Sequence, residues 1–182
     1  VHAEACALYS SYLLAAHCLS LSAEMYGRMH RGYQTLLSFV TPFPAPPAYA
    51  HDRIRVGYLS GDFRHHVMFS FLYALLAAHD ACAFAVYCYS LSDVEDDFTA
   101  LVRQSADVFR MVHGQPYEEI ARTIRADEID VLVDLGGHSA SAGLPVLAWR
   151  PARVQVSGLG YPHATGLAAV DAFLTDHQAD GA

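Results

Sequence analysis

Hydrophobic and polar positions divide the chain into two textures. Over residues 4–18 apolar positions recur at helical spacing, and Ala5, Leu8, Tyr12, Ala15 and Ala16 fall on one predicted face. Ser20-Leu-Ser22 breaks that run, and Ser22 is placed to cap a second helix with Met25, Met29 and Tyr33 turned inward. The pattern predicts a helical hairpin over 1–40, whose simplest role is to cover a larger neighbour. Thr41-Pro-Phe-Pro-Ala-Pro-Pro47 then holds the chain extended, so 41–52 reads as a linker. From residue 53 short apolar strands alternate with helical stretches. Strands are expected at Ile54–Leu59, Phe84–Tyr89, Asp107–Val112, Asp130–Asp134, Arg153–Ser157 and Ala172–Thr175. Helices are expected at Val67–Ala78, from Ser92–Asp97 onward, from Pro116 onward and at Leu144–Trp149. Such alternation over 53–182 predicts an α/β fold, a doubly wound parallel sheet preceded by the helical hairpin.

Composition narrows the function classes. The chain has 182 residues, is 53% apolar and 16% charged, and carries a formal net charge of −8, which suits a packed domain and argues against nucleic acid as a partner. All of its basic residues are arginine, which excludes a Gly-Lys-Ser/Thr phosphate loop and a Schiff-base lysine. Cys6, Cys18, Cys82 and Cys88 show no zinc-ligand spacing and read as reduced, bystander thiols. No apolar run reaches the ~18–20 residues of a membrane helix, so no membrane partner is expected. No period of roughly 34 residues recurs. The first residue, Val1, falls mid-pattern, and the chain reads as a piece of a longer protein.

In an open parallel sheet, ligands gather beyond the carboxyl ends of the strands. Three of those ends break into glycine turns with polar residues. The first is Ser60-Gly-Asp-Phe-Arg-His-His66. A histidine just before a helix is favoured neutral and can accept a proton, but it can equally cap the helix or face solvent, and both readings of His65 and His66 stand open. Asp62 is expected to order the turn, and adjacent histidines rarely share one metal ion. The second is Asp134-Leu-Gly-Gly-His-Ser139, where paired glycines let the backbone approach a ligand and His138 is expected over the sheet edge. His138 is equally suited to a structural hydrogen bond with a neighbouring loop. The third is Gly158-Leu-Gly-Tyr-Pro-His-Ala-Thr-Gly166, whose amides suit an anionic or sugar ligand. Neither glycine loop has the dinucleotide pattern of dehydrogenases. The expectation is that Asp62–His66, Gly136–Ser139 and Gly158–Gly166 line a single rim.

Arg55-Val-Gly-Tyr-Leu-Ser-Gly-Asp-Phe63 with His66, Val86-Tyr-Cys-Tyr-Ser90, Asp130-Val-Leu-Val-Asp-Leu-Gly-Gly-His138, Arg150-Pro-Ala-Arg-Val-Gln155 and Leu159-Gly-Tyr-Pro162 occur in this order. Together they resemble the O-linked N-acetylglucosamine transferases and their SPINDLY-type relatives. The resemblance implies the Rossmann-like amino-terminal lobe of a two-lobed GT-B glycosyltransferase. It implies transfer of N-acetylglucosamine from UDP-N-acetylglucosamine to Ser or Thr of proteins, with inversion and without metal or cofactor. It makes His66 the cleft-facing histidine argued to act as base. His138, Gly160, Tyr161, Pro162, Thr165 and Gly166 become substrate-binding positions, with Asp62 and Gly137 in support. The implied partners are the UDP-sugar, a protein acceptor, a carboxyl-terminal lobe and upstream tetratricopeptide repeats, in the cytoplasm or a eukaryotic nucleus. His163 and Ala164 depart from the family's usual Gly-Tyr-Pro-Gly loop, and Arg153 replaces a proline; His163 is expected to narrow the cleft. The isolated chain, a half-site, is expected to be inactive. Two alternatives stand beside this reading: a binding module without catalysis for peptide or nucleotide-sugar, and a GDP-fucose-using O-fucosyltransferase. A nucleotide-sugar epimerase is disfavoured by the hairpin and the linker.

Overall fold

The structure, a computed structural model of the chain, describes residues 2–139, 143–176 and 178. Two helices, α1 (His2–Ala16) and α2 (Ala23–Leu36), precede an alternating series: β1 (Ile54–Ser60), α3 (Met68–Ala77), β2 (Phe84–Ser90), α4 (Asp97–Ser105), β3 (Val108–Met111), α5 (Tyr117–Ala126), β4 (Val131–Asp134), α6 (Leu144–Leu147), β5 (Val154–Gly158) and β6 (Ala172–Leu174). All strand pairings are parallel, in the order β3-β2-β1-β4-β5-β6. This is the doubly wound arrangement the alternation predicts. Its direction of winding reverses between β1 and β4, where such sheets place their ligands.

Strand alternation sorts the core into two layers. Val56 and Tyr58 of β1, Val86 and Cys88 of β2 and Val133 of β4 pack with Phe69, Leu72 and Leu76 of α3 and Val102 of α4. Leu59, Tyr89 and Leu132 face the other way, toward Ile120 and Ile124 of α5 and Leu144 and Leu147 of α6. Cys6 and Leu13 of α1, Tyr33 of α2 and Leu37 belong to this second layer, so the hairpin shares a core with the sheet. The proline-rich segment runs beside it, with the Phe43 amide donating to Trp149 O at 2.8 Å.

The local signals act as expected at α2, where Ser22 accepts from the Met25 amide. The hairpin's inward faces differ from the sequence reading. Leu8 is 72% and Tyr12 53% exposed, while Cys6, Ser10, Leu13 and Ala16 are buried. The helix is apolar nearly all round, so periodicity alone could not choose its inner side. On α2 Tyr33 is buried as expected, Met25 is exposed, and His30 lies inside.

Candidate active site

Leu59 pairs with Asp134, and Asp134 pairs with Ser157, so the ends of β1, β4 and β5 stand in one row. Their three loops leave the same sheet edge side by side. The second and third touch directly: a Cβ on Gly160 would lie 2.2 Å from Leu135 O, and one on Gly137 (φ +54°) would lie 2.3 Å from Tyr161 Cβ. Only glycine permits these approaches. The three loops therefore share one edge of the sheet.

The β1 loop is held from the side of α4. Asp96 caps that helix by accepting from the Thr99 amide at 3.0 Å, and its second oxygen accepts from the His65 amide at 2.7 Å. The Thr99 hydroxyl donates to Phe63 O at 2.7 Å. These bonds to the backbone hold the Asp96 carboxyl below its ordinary range, the one from His65 most of all. Asp62 is nearly buried, with its amide on Ser60 Oγ at 3.0 Å. Its carboxylate stands between Arg64 Nη2 at 3.7 Å and His66 Nδ1 at 3.6 Å. His66 Nδ1 accepts from the Met68 amide at 3.3 Å, and its ring is exposed at the rim. His66 thus makes the helix-end contact of the bland reading and remains open to a substrate. His65 is exposed against the Phe98 ring.

The other two loops close on themselves. His138, expected over the sheet edge, is 1% exposed. Its Nδ1 meets Ser10 Oγ at 2.9 Å and its Nε2 meets Thr165 O at 2.8 Å. The structural role is the one realised, because both ring nitrogens are occupied. Tyr161, read as substrate-binding, is 2% exposed, with its hydroxyl between His17 Nε2 at 2.9 Å and His30 Nε2 at 2.8 Å. Thr165 is buried, and its hydroxyl accepts from the Leu167 amide. Gly166 (φ +74°) packs its α-carbon against the backbone of His30. Of this loop Leu159, Pro162, His163 and Ala164 remain exposed. His163 stacks on His17, ring centroids 4.7 Å apart, and so turns toward the hairpin. Among the described residues no three His, Cys, Asp or Glu side chains converge as metal ligands, and no helix is long and apolar enough to cross a membrane.

Residues 34–181 match the profile of Glycosyl transferase family 41. The chain belongs to that family. It is 40% identical over 131 residues to a probable UDP-N-acetylglucosamine–peptide N-acetylglucosaminyltransferase SPINDLY of Arabidopsis thaliana, covering 70% of this chain and 14% of the relative. It is 31% identical over 173 residues to the probable transferase SEC of the same plant, covering 93% of this chain and 17% of that one. A solved structure of a Thermobaculum terrenum O-GlcNAc transferase mutant superposes with a TM-score of 0.84 at 31% identity, over 92% of this chain and 33% of that one. The lobe is thus a Rossmann-like lobe of the GT-B type, and the chain spans a minor part of each relative.

Several residues that build the site in this family-41 lobe carry little or no signal in the sequence, His30 of the hairpin and Asp134 of the sheet among them. His30 carries no local signal, because a lone histidine in a helix as polar as α2 reads as a solvent-facing residue. In the sequence Asp134 reads only as the end of a strand. It is fully buried, accepts from the Gly137 amide at 2.8 Å and the Ser157 hydroxyl at 2.9 Å through Oδ2, and leaves Oδ1 without a full hydrogen bond among the described residues. Burial pushes its carboxyl up to about 6, and these bonds, with the nearby Gly136 and Gly143 amides, hold back a larger rise. An acid closing an apolar strand was the available clue.

Proposed function

We propose that this chain is the amino-terminal lobe of a protein O-N-acetylglucosaminyltransferase. The enzyme moves N-acetylglucosamine from UDP-N-acetylglucosamine to Ser or Thr hydroxyls, with inversion and with no metal or cofactor. The observation that carries the reading is His66: a histidine at the switch-point rim, backed by Asp62 and open to a substrate. In the productive form its Nδ1–H turns to the Asp62 carboxylate and its Nε2 lone pair faces the acceptor hydroxyl. Nε2 takes the hydroxyl proton as the oxygen bonds to the anomeric carbon. The bond from that carbon to the diphosphate oxygen breaks with its electron pair, and UDP leaves from the opposite face. Stabilising the departing diphosphate falls to a carboxyl-terminal lobe, because the described cations at the β1 loop are limited to Arg64, which faces Asp62. The four free cysteines fit a cytoplasmic setting.

In the full-length protein His66→Ala is expected to lower turnover at least about tenfold with the melting temperature unchanged. Unaltered turnover removes His66 from the mechanism. Titration with UDP-N-acetylglucosamine and a Ser/Thr peptide that gives binding without turnover identifies a binding module instead. Turnover with GDP-fucose alone reassigns the donor.

A further inference from the structure

The geometry points to His17 and His30 of the helical hairpin as positioning residues for the Gly158–Gly166 loop, acting through the Tyr161 hydroxyl. This rests on the reading of that loop as part of the transfer site. Carbonyl oxygens only accept, and that fixes every proton in the network. His30 Nδ1 lies 2.7 Å from Tyr26 O, so Nδ1 carries the hydrogen and Nε2 carries the lone pair. The Tyr161 O–H must therefore donate to His30 Nε2, and its oxygen then accepts from His17 Nε2–H. At the far end of the loop His138 Nε2–H donates to Thr165 O, so its Nδ1 accepts the Ser10 hydroxyl proton.

The result is two directional sets of hydrogen bonds between neutral groups, one at Tyr161 and one at Thr165, which tie the hairpin to two points of one loop. Tyr161 is gripped at one side and Thr165 at the other. The exposed residues Pro162, His163 and Ala164 lie between these two grips. His163 adds a third contact, stacked on His17 with planes 4° apart and on Tyr26 at 5.4 Å. Below, Gly166 admits the His30 carbonyl so closely that no side chain fits.

The rings facing His17 are Tyr26, His30, Tyr161 and His163; those facing His30 are Tyr26, His17, His138, Tyr161 and His163; those facing His138 are Tyr33, His30 and Tyr161. No carboxylate or guanidinium bonds to any of these three histidines among the described residues. Burial holds all three below their ordinary range, which keeps the chain of donors and acceptors in one protonation state at neutral pH. A hairpin of this kind fixes the position of the Pro162–Ala164 segment at the end of β5 without touching a substrate.

Two variants of the full-length protein test this. His17→Phe keeps a ring against His163 and Tyr26 but removes the donor to Tyr161. His17→Gln keeps an N–H at about the same reach. Loss of one such bond corresponds to about fivefold in a local equilibrium. The Phe variant is expected to exchange amide hydrogens over 158–166 about fivefold faster and to raise the KM for UDP-N-acetylglucosamine by a similar factor. Its kcat and melting temperature stay near those of the parent, and the Gln variant restores KM. Unchanged exchange in His17→Phe overturns the positioning role and leaves the assignment of the loop to the transfer site intact. Faster exchange with unaltered KM and kcat shows instead that the loop is held by the hairpin but lies away from the sugar, which overturns both.

Discussion

The loops after β1 and β5 are built alike in sequence and held in opposite ways. Each is a glycine turn with polar residues at the carboxyl edge of a parallel strand. The first is fastened by ionised and backbone groups at its side: Asp96 on the His65 amide, Thr99 on Phe63 O, Asp62 near Arg64. It leaves the His66 ring at the rim. The second is fastened from within by neutral rings, and its most conspicuous polar residue, Tyr161, is spent on the fastening. A glycine turn at a strand end locates a rim without saying which side chains face outward. That direction is set by what packs behind the loop: a helix cap behind the first, an aromatic hairpin behind the second.

The sharpest way to break the comparison is to separate the hairpin from its loop. Gly166 (φ +74°) and Gly114 (φ +75°) share a left-handed backbone, but a Cβ on Gly166 would lie 2.1 Å from His30 O, whereas one on Gly114 meets nothing within 4 Å. Gly114→Ala is expected to cost about 1 kcal/mol from backbone strain alone. Gly166→Ala is expected to cost roughly 3 kcal/mol or more, because α2 must move as well. Urea unfolding of the two variants measures the difference; equal losses mean the hairpin yields freely and is no scaffold.

A second test uses acid. His138 is pushed down to about 4 by burial, and His17 and His30 are lowered too. The unfolded chain takes up these protons first, so the stability they supply is full above pH 6.5 and is lost as pH falls from there toward 4. Asp134, raised to about 6 from 3.8, acts in the opposite sense. The native carboxyl holds a proton that the unfolded chain has released, so its penalty is full above pH 6 and fades toward pH 3.8. A separation of about two pH units is on the order of 3 kcal/mol. The two effects nearly offset at the β4 loop. Asp134→Asn keeps an acceptor for Gly137 and removes the counterweight. The variant is expected to lose stability more steeply than the parent between pH 6.5 and 4. Parallel pH profiles would show that Asp134 is not the counterweight.

The split between the two loops also marks what the sequence could convey. Strands β1 to β6 and helices α3 to α6 were legible because their apolar runs are short, local and bounded by turn residues such as Pro116 and Gly158. So was the Ser22 cap, whose partner lies three residues away. The inner face of α1 was not, because Leu8 and Tyr12 are as apolar as Cys6 and Leu13. The hydrogen bonds from the hairpin to the loops were not legible either: Ser10 meets His138, His30 meets Tyr161 and His17 meets Tyr161 across 128, 131 and 144 residues. Proton direction in such a network depends on carbonyls that only the fold brings near.

Asp96 tests the other side of the comparison. Asp96→Ala removes the α4 cap and the acceptor for the His65 amide together, and is expected to cost about 1–2 kcal/mol. Turnover of the full-length protein is expected to fall several-fold, since His66 follows the released residue directly. Asp96→Asn retains a good cap and should recover most of the stability in thermal denaturation. Full activity in Asp96→Ala would show that the β1 loop keeps its shape without α4.

The smallest expected effect belongs to Asp62, and it is the most specific. In the resting arrangement the Met68 amide donates to His66 Nδ1 at 3.3 Å, which leaves the hydrogen of a neutral ring on Nε2. For Nε2 to act as a base the hydrogen must move to Nδ1, and the group placed to receive it there is the Asp62 carboxylate, now 3.6 Å away. Asp62→Asn preserves shape and the amide bond to Ser60, but an amide can present N–H to Nδ1 and hold the unproductive tautomer. Turnover is expected to drop about threefold to tenfold, on the order of 1 kcal/mol, with KM for the donor unchanged. Were Asp62→Asn to raise KM and leave kcat alone, Asp62 would be ordering the turn and nothing more, and the histidine would need another partner to become a base.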